Sequence, residues 1–226
     1  MEWVYGRLAR EALVRALRDG CRSLVENRRV GGERVALFCE PDPDRLEEPL
    51  RFGLVRRFLV QGPCAFEFFH RAPSIPELLA SLDKAFELRR RASWSPRADE
   101  PLLWILCAHR PNAAWSKFSL EPARAFPRGV YAAPLAYGMH LVVPNELPRT
   151  LDTLLLRLLG SGASLRGALT ELDELGPSHP VGALMMPLLV RLHHECLALT
   201  AQRGDVAPFL KDTCGFCEGW AQRLDR

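Results

Sequence analysis

The apolar residues of this chain change their spacing near residue 150. Before it they gather in short runs, Val35-Ala36-Leu37-Phe38-Cys39, Cys64-Ala65-Phe66-Glu67-Phe68-Phe69 and Leu102-Leu103-Trp104-Ile105-Leu106-Cys107, each followed within a few residues by proline. Beyond it they recur at three- and four-residue intervals over about 151–159, 164–175, 184–202 and 206–222, the repeat of helices that bury one face. Short runs bounded by prolines suit buried strands, and the later repeat suits only helices. The predicted fold is therefore α/β, a small mixed central sheet flanked by helices, with an all-helical C-terminal extension. Residues 1–150 form the α/β core, and residues 151–226 pack on it.

The individual elements follow from the same patterns. Leu8, Leu13, Leu17, Leu24 and Val25 predict an opening helix over 7–26 that gives way before Gly31-Gly32. Strands are expected at 34–39, 102–107 and 139–143, with a short one at Val130-Tyr131. At 64–69 the run is too short to separate a strand from a helical turn. Residues 45–60 read as helix, weakened by Pro49 and Gly53. Ser74-Ile75-Pro76-Glu77 is a capping box that opens a helix to about Arg91. The stretch from Asn112 to Pro134 reads as a long connection. Thr150 caps a helix whose buried face is Leu151, Leu154, Leu155, Leu158 and Leu159, and Gly160 is expected to end it in the left-handed conformation. Leu156 falls beside Asp152 and Arg157 on the polar side, where a second helix should cover it.

A chain of 226 residues accommodates one substantial core with an appendage. Its formal charge of +3, from 30 basic and 27 acidic residues, is too balanced to act as an electrostatic footprint for nucleic acid. No segment reaches the roughly 18 uninterrupted apolar residues that cross a bilayer, so no membrane partner is expected. The amino terminus carries charges where a secretory signal needs an apolar centre, which predicts a cytoplasmic protein. The seven cysteines then read as buried reduced thiols.

Several motifs offer chemistry. Cys214-Gly215-Phe216-Cys217 supplies half of a tetrahedral zinc site and has no matching second pair, so a structural role is expected. In His193-His194-Glu195 the histidines are adjacent and point about 100° apart, whereas a zinc-protease helix needs them four apart. Asp42 and Asp44 beside prolines suit a turn, and Arg89-Arg90-Arg91 suits a helix C-terminus. A wider set is Glu40, Asp42, Glu67, His70, Lys84 and His109, several of which fall at or just beyond strand ends, where open α/β sheets place their sites. Carboxylates with a lysine are what metal-dependent phosphodiester hydrolysis requires: the acids hold Mg²⁺, the metal activates water and the ammonium stabilises charge.

The segments VALFCEPDPDR, CAFEFFHRAPSIPELLASLDKA, PLLWILCAHRP and GVY, with VVPNELPRTLDTLLLRLLGSG, span most of residues 34–162. In them the chain resembles a group of bacterial proteins, abundant in myxobacteria, that look like the restriction-endonuclease-like PD-(D/E)XK and recombination-promoting nucleases. The resemblance implies a restriction-endonuclease-like sheet with an acid on an early strand, an acid on the next followed two residues on by lysine or glutamine, and a metal between them. Here Val35–Phe38 contains no acid, and Glu67 is followed by Phe68 and Phe69. Lys84 would have to substitute from the following helix. The implied catalytic set is Glu67, Lys84 and Asp42, and the implied metal ligands are Glu40, Asp42 and Glu67. The expected function is that of a nuclease-like protein with a degenerate signature, acting on or near DNA. An active form would be a Mg²⁺-dependent phosphodiester hydrolase, and an inactive one would need no cofactor. The alternative is a non-enzymatic interaction or regulatory module that binds another protein through residues 164–226.

Overall fold

The computed structural model describes residues 2–30, 33–46, 52–92, 101–199 and 207–224. In chain order the elements are α1 (Glu2–Leu17), β1 (Cys21–Val30), β2 (Glu33–Pro41), α2 (Pro43–Leu46), α3 (Gly53–Val60), β3 (Cys64–Phe69), α4 (Ile75–Ala92) and β4 (Leu102–Cys107). They continue with α5 (Asn112–Lys117), β5 (Glu121–Pro122), β6 (Val130–Ala132), β7 (Met139–Val142), α6 (Leu151–Arg157), α7 (Gly162–Leu175), α8 (Pro180–Leu199) and α9 (Ala207–Leu224). The protein is a mixed α/β fold whose C-terminal part is helical.

The strands form one seven-stranded sheet in the order β1-β2-β3-β4-β7-β6-β5. The first three form an antiparallel meander, β3, β4 and β7 run parallel, and β6 and β5 return antiparallel. Both faces of the centre are covered, which explains why its strands are apolar runs without polar alternation. Cys64, Phe66, Trp104 and Leu106 point into a core shared with α1, α3 and the helices after residue 150. Ala65, Leu103, Ile105 and Cys107 point the other way, onto Leu78, Leu82, Ala85 and Leu88 of α4.

Several expectations are corrected by the fold. The opening helix ends at Leu17, and residues 21–30 form β1 paired with β2. Leu24 fitted the helical repeat, yet β1 is an edge strand whose charged Arg22, Glu26 and Arg29 stay exposed, as edges that avoid further pairing do. The connection after Asn112 contains α5 and β5 besides the expected β6. In α6, Leu151 is 59% exposed, and Arg157, read as polar-face, is 2% exposed. Arg157 is buried because its guanidinium is paired on every side: it ion-pairs with Glu171, donates to the Thr150 carbonyl at 3.1 Å and donates from Nε to Thr153 Oγ1 at 3.2 Å. Leu156 is fully buried in the helical core.

Gly160 does not end α6 in the left-handed region; that conformation belongs to Gly162, at φ 57°. Gly160 is needed for close approach instead, since a Cβ there would lie 2.6 Å from Asn145 Oδ1 and 2.9 Å from the Arg157 carbonyl oxygen. The part of the 45–60 helix that contains Pro49, and residues 200–202 and 206 of the later helices, lie outside the described residues. All seven cysteines are free thiols. Among the described residues no helix is long and apolar enough to cross a membrane.

Candidate functional site

The sequence-predicted residues divide into three places. Glu67 and Lys84 meet. Glu67 sits on the α4-covered face of β3, and Lys84, on the underside of α4, donates from Nζ to its Oε1 at 3.2 Å. Both side chains are largely buried, at 11% and 17% exposure. Burial pushes the Glu67 carboxyl above its ordinary range, although Lys84 and the Ala36 backbone N–H both favour the anion. Glu33, at the start of β2, adds a smaller push in the same direction through its charge. Glu33 was absent from the sequence-derived set because nothing in the spacing shows that β2 places it near β3.

Glu40 and Asp42 lie elsewhere. Cys39 of β2 pairs with Cys64 of β3, while Leu37 pairs with Phe66, so the end of β2 lies beside the start of β3. The residue opposite Glu67 is Ala36, and Glu40 is four residues further along, roughly 13 Å at strand rise. Glu40 faces Arg28 of β1 at 4.0 Å. Asp42 pairs with Arg45 at 3.3 Å, and its carbonyl accepts the Arg45 and Leu46 amides at 3.1 Å, so it serves as the turn into α2. The metal-ligand set Glu40, Asp42 and Glu67 is therefore not assembled, because antiparallel pairing carries the first two away from the third. The remaining acid is buried, engaged by a lysine and disposed to hold a proton. Such a donor set does not fit Mg²⁺, which needs several hard oxygen ligands in octahedral array.

His70 and His109 mark the third place. They follow β3 and β4 at the carboxyl ends of the parallel strands, beside a cleft of about 330 Å³. The cleft is closed by Tyr5 and Leu8 of α1, Leu158 and Leu159 beyond α6, Leu165 of α7 and Phe209 of α9. At its rim His109 Nε2 lies 3.4 Å from Ser161 Oγ, a long contact. Asn145 holds Ser161 from both sides: Nδ2 donates to its hydroxyl at 3.1 Å, and Oδ1 accepts its backbone N–H at 2.9 Å. Asp212 of α9 accepts the Gly162 N–H at 2.9 Å. Beside the cleft Arg110, Glu146 and Tyr131 form a mutual hydrogen-bonded cluster, with the guanidinium stacked 4.3 Å from the Trp115 ring centroid.

Asn145, Ser161 and Asp212 escaped sequence reading because each is a common surface residue type, brought to one rim by segments far apart in the chain. Gly160, beside Ser161, was the one available signal, and it read as a helix stop. Fold and site together define a mixed α/β protein with an apolar cleft at the carboxyl edge of its parallel strands. No protein-family model, curated protein or solved structure matches the chain.

Proposed function

We propose that this is a nuclease-like protein that has lost phosphodiester hydrolysis and acts by binding on or near DNA. The resemblance of its strand and turn segments to the PD-(D/E)XK proteins supports the nuclease-like half, and the mixed sheet flanked by helices is compatible with it. The observation that carries the loss of catalysis is the Glu67–Lys84 pair: the acid a metal would need is buried against a cation, with Glu40 and Asp42 beyond reach. The test is incubation of the folded protein with supercoiled and linear DNA in Mg²⁺ or Mn²⁺, beside a binding titration at several salt concentrations. The expected result is retention of DNA that weakens steeply with salt, with no strand cleavage. Cleavage abolished by Glu67→Ala would overturn the non-catalytic reading, and absence of any salt-dependent binding would overturn the DNA reading.

The cleft favours a second reading, that of an interaction module. It is apolar, rimmed by a few convergent polar groups, and built jointly by the sheet edge and the helical portion, which is the usual form of a ligand site. On this reading the protein grips an apolar side chain of another polypeptide, and Leu165→Arg, which places a charge in the cleft wall, should abolish co-purification of that partner.

A further inference from the structure

Helices α8 and α9 bring together groups that lie far apart in the sequence and that neither reading of function uses. His193 on α8 is 1% exposed and faces Thr213 of α9. The Thr213 hydroxyl donates its hydrogen to the Phe209 carbonyl at 2.8 Å. Towards His193 Nδ1, 3.2 Å away, that hydroxyl can then only accept. His193 therefore carries its proton on Nδ1 and has its lone pair on Nε2. That nitrogen is buried and has no hydrogen-bond partner among the described residues. A buried imidazole oriented through one nitrogen by a neighbouring oxygen, with the other left open, is the arrangement of a metal-binding histidine.

Next to it on α9, Cys214 and Glu218 are four residues apart and share a helix face. The Cys214 sulfur donates to Glu218 Oε1 at 2.9 Å. A ring nitrogen of His193, the Cys214 sulfur and a Glu218 carboxylate oxygen all lie within 4.8 Å of one another, the one such group of three or more donors among the described residues.

We propose that His193, Cys214 and Glu218 form a site for a zinc-class divalent ion that fastens α9 to α8. One nitrogen, one sulfur and one carboxylate oxygen suit a borderline-soft cation of tetrahedral preference and do not suit Mg²⁺ or Ca²⁺. Entry of the ion breaks the S–H bond of Cys214 and forms a metal–thiolate bond, with the proton released to solvent. Glu218 exchanges its hydrogen bond for coordination, and the lone pair of His193 gains a partner. Cys217, the other half of the Cys-x-x-Cys pair, is fully buried and is not among the three grouped donors, so it does not complete the shell. The fourth position is left to water. The pair that looked like half of a zinc site contributes one ligand, and the other two come from the facing helix and the next turn.

The test uses the full chain, freed of metal by a chelator and titrated with Co²⁺ as the spectroscopic probe, then with Zn²⁺ in competition. Wild type should bind one equivalent of Co²⁺, with the visible absorption of tetrahedral cobalt and a near-ultraviolet thiolate charge-transfer band, and Zn²⁺ should displace it. Cys214→Ser should lose the thiolate band and bind about 10-fold or more weakly. Glu218→Gln, at an exposed position where folding is not at stake, should keep the band but also weaken binding. His194→Ala, at the exposed neighbour of His193, should behave as wild type. Absence of a thiolate band in folded wild type, or unchanged Co²⁺ affinity in Glu218→Gln, would overturn the site.

Discussion

At the scale of single residues, the clearest consequences come from charged or titratable groups held in apolar surroundings. His140 stacks on Trp104 at 4.3 Å between ring centroids, and burial lowers its pKa to about 4 from an ordinary 6.5. The unfolded chain therefore takes up a proton below pH 6.5 that the native chain refuses until about pH 4, so this residue's contribution to stability is lost as pH falls through that window. Denaturant unfolding at pH 7 and pH 5 should show the loss, and His140→Phe, which keeps the stacking and cannot titrate, should reduce it. Lys84 makes a second case. Lys84→Met leaves Glu67 buried without its cation and should cost about 3 kcal/mol, while Glu67→Gln with Lys84→Met should recover part of that cost. A double variant less damaging than the sum of the two single variants would confirm a coupled pair in a double-mutant cycle; strictly additive effects would deny it.

Among elements, helix ends and helix seams decide the outcome. The capping box at α4 forms as its spacing predicts: the Ser74 N–H donates to Glu77 Oε2 at 2.7 Å, and the Glu77 N–H reaches Ser74 Oγ at 3.4 Å. Ser74→Ala should lower stability by about 1 kcal/mol, read from the denaturation midpoint. Hydrogen bonding to Arg71 helps hold the Glu77 carboxyl down at about 2, so its support is present above the ordinary 4.5 and fades as pH falls towards 2. The seam between α6 and α7 rests on Arg157 and Glu171. Arg157→Leu removes the buried partner of the Glu171 carboxylate and leaves it only the exposed Arg149, with an expected loss of about 3 kcal/mol. Arg149, on the same carboxylate but 71% exposed, should tolerate substitution by alanine with a change under about 1 kcal/mol. Equal effects at the two arginines would refute the distinction drawn from burial.

Across the whole molecule the sheet and the helical portion share one core. Leu37, Phe66 and Trp104 of the strands belong to the same buried cluster as Leu155, Leu169, Leu189 and Trp220. Residues 1–150 alone would expose that face of the sheet, so the fragment should be insoluble or lack a cooperative transition, while the full chain should unfold in one step followed identically by near- and far-ultraviolet circular dichroism. A soluble, cooperatively folding fragment would show that the two portions are separate domains. Local order was legible in the sequence wherever it depends on neighbours in the chain: the buried runs at 35–39 and 102–107, the α4 cap, and the helical repeats after residue 150 each follow from burial of one or both faces. The α1–β1 boundary was not, because Leu24 and Val25 satisfy a helical repeat as well as a strand, and only pairing with β2 selects between them. The candidate sites depended still more on packing. Lys84 meets Glu67 because α4 lies over β3, Asp42 is carried from both by the direction of β2, and His193 reaches Cys214 because α9 lies along α8. The sequence by itself determined most of the strand and helix segments and most of their apolar faces, since those follow from spacing. Tertiary structure alone decided which titratable side chains meet, since contacts between distant residues are set by strand direction and helix packing, which the spacing within a segment does not encode.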